Sequence, residues 1–194
     1  MIDIDHSVGA TVERMERRRE ALIDVLPQAL KQREDDLLGL VRTVNASAQS
    51  KVGKVFALVD EISAHRAPYV ACAEGCASCC KMNVQITSVE AARITAGTGR
   101  RARSLQHSVR HPDGRFAGQA CPFLKDEACS IYEHRPFVCR HHAHFDVDAY
   151  WCDPIRMQEQ PLPLLELTGA KQAMTEVLLQ SRQPVLADIR DFFG

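Results

Sequence analysis

The stretch CAEGCASCC, residues 72–80, holds four cysteines, and the stretch CPFLKDEACSIYEHRPFVC, residues 121–139, adds three more. A single cysteine is often a small buried apolar residue, but that interpretation does not explain a cluster of this density. Thiolates are soft ligands that suit zinc, copper(I) and iron-sulfur clusters and disfavour magnesium and calcium. The sequence therefore predicts that the two stretches converge on one iron or zinc centre.

The candidate ligands all come from these two stretches. They are Cys72, Cys76, Cys79, Cys80, Cys121, Cys129 and Cys139. Gly75 lets the backbone of the first stretch fold back tightly. Adjacent Cys79 and Cys80 are expected to point in different directions, so one of them binds a second ion or lies behind the first. The sequence leaves open which four thiols bind directly, and Cys152, which stands apart, is expected to be a packing residue.

The spacing favours an iron-sulfur cluster over zinc. Structural zinc sites usually present two CxxC knuckles, whereas here one loop carries three closely spaced thiols and the remaining thiols are remote. The CxxxCxxC spacing also matches radical SAM enzymes, but the chain shows no alternation of strands and helices typical of a barrel. His141 and His142 are further candidates, because imidazole can replace a thiolate. Arg135 and Arg140 are expected to offset the negative charge of the thiolates.

Composition and charge exclude several other functions. The chain has 194 residues, 45% of them hydrophobic, and a formal net charge of −1, so no global charge predicts binding to nucleic acid or an anionic membrane. No run of about 18 apolar residues occurs, and the first residues do not resemble a secretory signal. We therefore expect a cytoplasmic protein, in which disulfides are disfavoured. P-loop, G-x-S-x-G, H-E-x-x-H and dinucleotide motifs are absent.

The predicted fold is mainly α. It comprises a helical region at 1–66, a loop-rich, metal-stabilised cysteine-cluster domain at 67–160, and a C-terminal helix at 161–194 that packs on the rest. Pro27 is expected to separate two long helices, the second of which carries an apolar stripe from Leu30 to Ile62. That stripe packs either on the first helix and the metal domain, which we favour, or against a second copy as a coiled coil.

Local signals predict smaller elements around the cysteines. Val84 and Ile86 allow a short strand, and Thr87 with Glu90 has the spacing of a capping box that opens a helix. The arginine-rich segment 100–110 is interpreted as a solvated helical face. Pro136 suits the first turn of a short helix carrying Cys139. Residues 164–180 have the pattern of a final amphipathic helix.

Together, CxxxCxxCC from Cys72, then CPFL from Cys121, then CSIYExRPxxCR from Cys129 resemble the YkgJ-type cysteine-cluster (CxxCxxCC) family over about residues 70 to 142. The resemblance implies a domain that chelates zinc or iron. The family includes flagellin lysine methylases, larger proteins associated with an iron-sulfur cluster. The main prediction is a metal-binding protein. Two alternative functions remain open, which are an iron-sulfur-dependent redox or methyl-transfer enzyme and a helical interaction protein with structural zinc.

Overall fold

The structure is a computed structural model that describes residues 4–72, 75–158 and 162–194. Within these residues the α-helices are α1 (Val8–Val25), α2 (Gln28–Asp35), α3 (Leu37–Thr43), α4 (Ala48–Ala64), α5 (Ser88–Thr98), α6 (Phe137–His141), α7 (Thr168–Leu179) and α8 (Ile189–Phe193). The short strands are β1 (Gln85–Thr87), β2 (Leu124–Lys125), β3 (Ala128–Cys129) and β4 (Leu186–Asp188). The fold is mainly α, as predicted. None of the described helices combines the length and apolar character needed to cross a membrane.

The N-terminal region is helical, but its second helix is shorter than predicted. Pro27 separates α1 from α2, as expected. The stripe from Leu30 to Ile62, however, is divided among α2, α3 and α4 instead of lying on one helix. The break after α3 has a local cause, because Val44 is extended and the Ser47 side chain accepts a hydrogen bond from the Ser50 nitrogen at 3.2 Å, which starts a new helix.

The apolar stripe packs within the chain. Val41, Val52, Val55 and Val59 are fully buried in one core with residues of α7. Helices α3 and α4 both lie against α7, and α4 also contacts α5 and α6 of the cysteine region. The stripe therefore packs within one chain, as predicted. Most of it is buried against α7, however, and not against the first helix as we expected.

The C-terminal segment is more than the single helix predicted for it. After α7, β4 pairs antiparallel with β1 in the register Gln85↔Asp188, Ile86↔Ala187 and Thr87↔Leu186. The last element, α8, follows directly and buries Phe192 and Phe193 in a second apolar cluster that includes Cys121. The C-terminus thus completes the core of the cysteine region.

Helix α5 forms as predicted, but the segment that follows it does not form the predicted helix. The capping box of Thr87 and Glu90 opens α5, and Gly99 closes it in the left-handed conformation at φ 74°. Segment 100–110 is not helical, so the interpretation as a solvated helical face is wrong. It runs instead beside the C-terminus, where the Arg103 nitrogen donates to the Phe192 oxygen and the Val109 nitrogen to the Leu186 oxygen.

Candidate metal centre

The first cysteine segment turns sharply and presents two neighbouring thiols. Gly75 has a φ of 84°, a conformation that favours glycine. Cys79 and Cys80 lie on a 3₁₀ turn over Ser78–Lys81. The interaction between these two thiols lowers the pKa of Cys80 and raises that of Cys79. That the two side chains point in different directions stays a prediction.

The second segment is held in place by a tight hairpin and a short helix. Strands β2 and β3 pair with Leu124 opposite Cys129, and the two turn residues between them, Asp126 and Glu127, both have positive φ. Such turns match the twist of paired strands. Cys139 lies on α6, the helix predicted for it, with Pro136 at the N-cap position just before its first turn.

Four cysteines from the two segments meet at one apolar cluster. The apolar cluster that includes buried Cys121 also contacts partly buried Cys80, Cys129 and Cys139. The backbone joins the segments here, since the Cys121 nitrogen donates to the Cys80 oxygen at 2.7 Å. Burial, followed by the other three thiols of this set, raises the pKa of Cys139 well above its ordinary value. We call Cys80, Cys121, Cys129 and Cys139 the inner thiol set.

Cationic side chains surround the inner thiol set. The Arg190 guanidinium from α8 donates to the Cys80 oxygen at 3.3 Å and to the Met82 oxygen at 3.1 Å, and it lowers the pKa of both Cys80 and Cys121 against the effect of burial. Arg135 likewise lowers the pKa of Cys129, where burial is the larger and opposing influence. Such charges stabilise thiolates in a partly buried site.

A cavity of about 530 Å³ opens beside the thiols. Its wall includes six of the predicted ligands, which are Cys72, Cys76, Cys79, Cys80, Cys129 and Cys139. Arg66, Arg135 and Arg140 line the same cavity, together with His142. Cys121 is not on the wall and lies behind it in the apolar cluster. The two cysteine segments therefore meet around one space, with cationic groups on its wall.

Arg135 and Arg140, the two arginines predicted to offset thiolate charge, both line this cavity, and different contacts hold each of them in place. Arg140 pairs with Asp60 at 2.5 Å and donates to the backbone oxygen of Arg135 at 2.8 Å. Arg135 lies over the Tyr132 ring, 3.8 Å from its centroid. Among the described ion pairs there is none that involves Arg135, so its guanidinium is not neutralised by a carboxylate there.

The predicted histidine candidates differ in their surroundings. His141 Nε2 lies 2.6 Å from the Leu165 oxygen, and the ring stacks on Phe137, so this nitrogen is already hydrogen-bonded. His142 lines the cavity, and burial lowers its pKa to about 4, which keeps the imidazole neutral. A third histidine, His144, is 2% exposed, and its Nε2 has no hydrogen-bond partner within the described structure.

All eight cysteines have free thiols. Among the described residues, however, no three His, Cys, Asp or Glu side chains already stand in a metal-coordinating arrangement. The predicted ligands are therefore gathered in one neighbourhood without being assembled into a finished coordination shell.

Sequence reasoning missed two arginines of the site. Arg190 lies far along the chain from either cysteine segment, in a region that carried only a helix signal. Arg66, just beyond the end of α4, donates to the Arg140 oxygen at 2.8 Å and lowers the pKa of Cys72 against the effect of burial. No local pattern distinguishes either residue from an ordinary surface arginine.

Residues 71–155 match the model of the CxxCxxCC family, whose description is "Putative zinc- or iron-chelating domain". The matched range extends past residue 142, where the predicted resemblance ends, and includes Cys152. A comparison with curated proteins and one with solved structures found no match. The family supports a general role in metal binding and names either zinc or iron.

Proposed function

We propose that this protein binds iron or zinc through thiolates of both cysteine segments, with the inner thiol set as its main ligands. The observation that carries this proposal is that one apolar cluster contains Cys121 and contacts Cys129 and Cys139, from the second segment, and Cys80, from the first. Within the inner thiol set the first segment supplies one ligand and the second supplies three, so neither segment alone completes a four-ligand site. The family's description as a zinc- or iron-chelating domain supports the same function.

The residues present fit a metal bound by thiolates. Burial raises the pKa of Cys121 to about 11, so this thiol is protonated at neutral pH without a cation. A soft metal ion stabilises the thiolate and releases the proton. The nearby guanidinium of Arg190 would then offset the negative charge left by four thiolates around a divalent ion. Metal uptake should therefore be pH-dependent and release protons.

The size of the cavity favours an iron-sulfur cluster over a single zinc ion. Zinc bound by four thiolates at about 2.3 Å makes a closed site with little free space. The cavity of about 530 Å³, whose wall holds Cys80, Cys129 and Cys139 of the inner thiol set, exceeds that need. An iron-sulfur cluster would supply several metal atoms and inorganic sulfides to fill part of it. The thiols need side-chain rotation to reach either geometry, because no coordination shell is preformed among the described residues.

A redox or methyl-transfer enzyme is the second candidate function. The observation that favours it is that Arg66 and Arg135 share the cavity wall with the cysteines, whereas Arg140 on the same wall is already paired with Asp60. Guanidinium groups bind carboxylates and phosphates, so an anionic substrate could reach the centre. A structural zinc site would gain nothing from this access.

We also propose that the protein is located in the cytoplasm. Its eight free thiols suit that reducing compartment.

Anaerobic purification followed by metal analysis and an absorption spectrum tests the main proposal. We expect bound iron with inorganic sulfide and visible absorption, or colourless protein with zinc. Cys139→Ser and Cys80→Ser should each lose this metal, whereas Ser78→Ala, in the same 3₁₀ turn as Cys80, should retain it. Wild-type metal content in folded Cys139→Ser protein would overturn the site built from two segments.

A further inference from the structure

Two of the three arginines on the cavity wall have no ion-pair partner among the described residues. The third, Arg140, is already paired with Asp60. Arg66 and Arg135 line the same wall, but neither takes part in a described ion pair. Burial is the main cause that lowers the pKa of Arg66, Cys72 raises it, and the charge of Arg135 lowers it further. Two cations therefore share one space without a carboxylate that neutralises either of them.

The guanidinium of Arg135 is held by its flat face. It lies over the Tyr132 ring, 3.8 Å from the ring centroid. Its Nε is buried, and this nitrogen has no hydrogen-bond partner among the described residues. A buried donor of a charged group is costly when it lacks an acceptor. Arg135 therefore has an unused donor, while the aromatic contact fixes the plane of the group.

The guanidinium of Arg66 is held at one corner by the backbone of α6. Its Nη1 donates to the Arg140 oxygen at 2.8 Å and to the His141 oxygen at 3.5 Å. Both contacts use the same nitrogen, and no described hydrogen bond uses Nη2 or Nε. Those two nitrogens form one edge of the guanidinium, and such an edge binds a carboxylate or a phosphate through two parallel hydrogen bonds.

The carboxylates of the cavity wall leave these two cations unpaired. The wall holds two of them, Asp60 and Glu133. Asp60 is engaged by Arg140. Glu133 is exposed and takes part in none of the described ion pairs. An acceptor for Arg66 and Arg135 must therefore come from the thiolates or from an ion that enters the cavity.

Neutralising the thiolates is the alternative role of these two cations. Arg190 shows that this role needs no place on the cavity wall, because its guanidinium donates to the Cys80 oxygen and does not line the cavity. Arg66 and Arg135 instead line the open space of about 530 Å³ that also borders the thiols. Their position favours the binding of an anion from solution.

We infer that Arg66 and Arg135 form an oxyanion-binding subsite, which holds the carboxylate or phosphate group of a small-molecule substrate beside the metal centre. This inference rests on the proposed metal-binding function and specifies the substrate class of the enzyme that is its second candidate. The cavity has the size usual for a small-molecule site. A bound anion would also supply the acceptor that Arg135 Nε lacks.

Calorimetric titration of the metal-loaded protein tests the subsite. Wild type is purified anaerobically, its metal content is measured, and it is titrated with inorganic phosphate and separately with succinate at constant ionic strength. We expect saturable binding, and the tighter anion identifies the group as a phosphate or a carboxylate. Arg135→Gln and Arg66→Gln should each weaken binding about tenfold or more, because each removes a charge-assisted hydrogen bond. Arg101→Gln, at an exposed position outside the cavity wall, is the matched control and should bind like wild type.

Arg135→Lys separates anion binding from neutralisation of the thiolates. Lysine keeps the positive charge but not the planar fork, so this variant should keep its metal and still bind the anion more weakly than wild type. If metal-loaded wild type binds neither anion, the subsite is overturned and the metal proposal stands. Wild-type affinity in both Arg135→Gln and Arg66→Gln would also overturn the subsite. A metal-free wild type would overturn the proposed function and, with it, this inference.

Discussion

The carboxylate of Glu90 joins the starts of two helices, because its Oε1 accepts a hydrogen bond from the Phe137 backbone nitrogen at 2.8 Å. Its other oxygen accepts from the backbone nitrogen and the hydroxyl of Thr87, at 2.8 and 2.9 Å. Glu90 is 3% exposed. One buried acid therefore caps α5 and also fixes the beginning of α6, the helix that carries Cys139.

Glu90→Ala should destabilise the protein and loosen the metal. Removing the carboxylate leaves two buried backbone N–H groups without partners, at about 1–3 kcal/mol each. We expect the free energy of unfolding to fall by at least about 2 kcal/mol in denaturant titrations, and a chelator to remove metal faster. Glu20→Ala, at an exposed position of α1, is the matched control and should change stability by less than about 0.5 kcal/mol. Equal stability of the two variants would contradict this role.

Arg190→Lys tests whether the C-terminus holds the cysteine segments together. The guanidinium contacts the backbone oxygens of Cys80, Met82 and Gln119 at the same time. A lysine ammonium is a point donor and cannot span these three acceptors. We expect a lower thermal midpoint and faster loss of metal to a chelator, whereas Arg182→Lys, at an exposed position, should behave as wild type. Unchanged metal release in Arg190→Lys would show that the charge suffices.

Gly97 lies in α5 against the His134 ring, in the turn before α6. A Cβ at position 97 would stand 2.5 Å from His134 Nδ1, so the two cannot coexist without movement. Replacing glycine by alanine in a helix normally gains about 1 kcal/mol. We expect Gly97→Ala to lose stability instead, and Gly97→Ala combined with His134→Ala to recover it. Gly39→Ala, which meets no atom within 4 Å, should show the normal gain. A gain in Gly97→Ala alone would contradict the contact.

Val55→Asp tests the packing of the apolar stripe. Val55 is fully buried in the helical core, so the substitution places an unpaired charge in an apolar contact. We expect a loss of about 3 kcal/mol or more, measured by thermal unfolding, and easier removal of metal. Leu40→Asp, on an exposed face of α3, should have little effect. If Val55→Asp instead converts a wild-type dimer into a folded monomer that keeps its metal, as sedimentation would reveal, the stripe is a dimer seam.

Glu34 provides a pH-dependent test of the α2–α7 contact. Burial raises the pKa of this carboxyl above its ordinary value, although the Ala170 nitrogen donates to Oε1 at 2.9 Å. Because the folded pKa exceeds the unfolded one, stability is lost as the pH rises from the unfolded pKa through the folded pKa. Glu34→Gln should therefore be more stable than wild type at neutral pH. The difference should vanish in acid, and a constant difference in thermal midpoint across this range would contradict the shift.

The spacing of residues in the sequence predicts only part of the candidate site. The spacing of Cys72, Cys76, Cys79 and Cys80 indicates thiolate chemistry without any knowledge of the fold, since ligand softness is a property of the residue. The capping box of Thr87 and Glu90 likewise predicts α5, because its hydrogen bonds lie within four residues. Neither signal indicates that Glu90 also reaches α6.

The sequence by itself determined a mainly α chain with two cysteine segments suited to iron or zinc, because helical periodicity, capping and thiol chemistry act over a few residues. Only the tertiary structure decided which thiols lie together. It groups Cys80 with the second segment and carries Arg190 to the Cys80 backbone through the pairing of β4 with β1. These contacts depend on which apolar surfaces are buried together across the whole chain, and that is a global balance that no local pattern encodes.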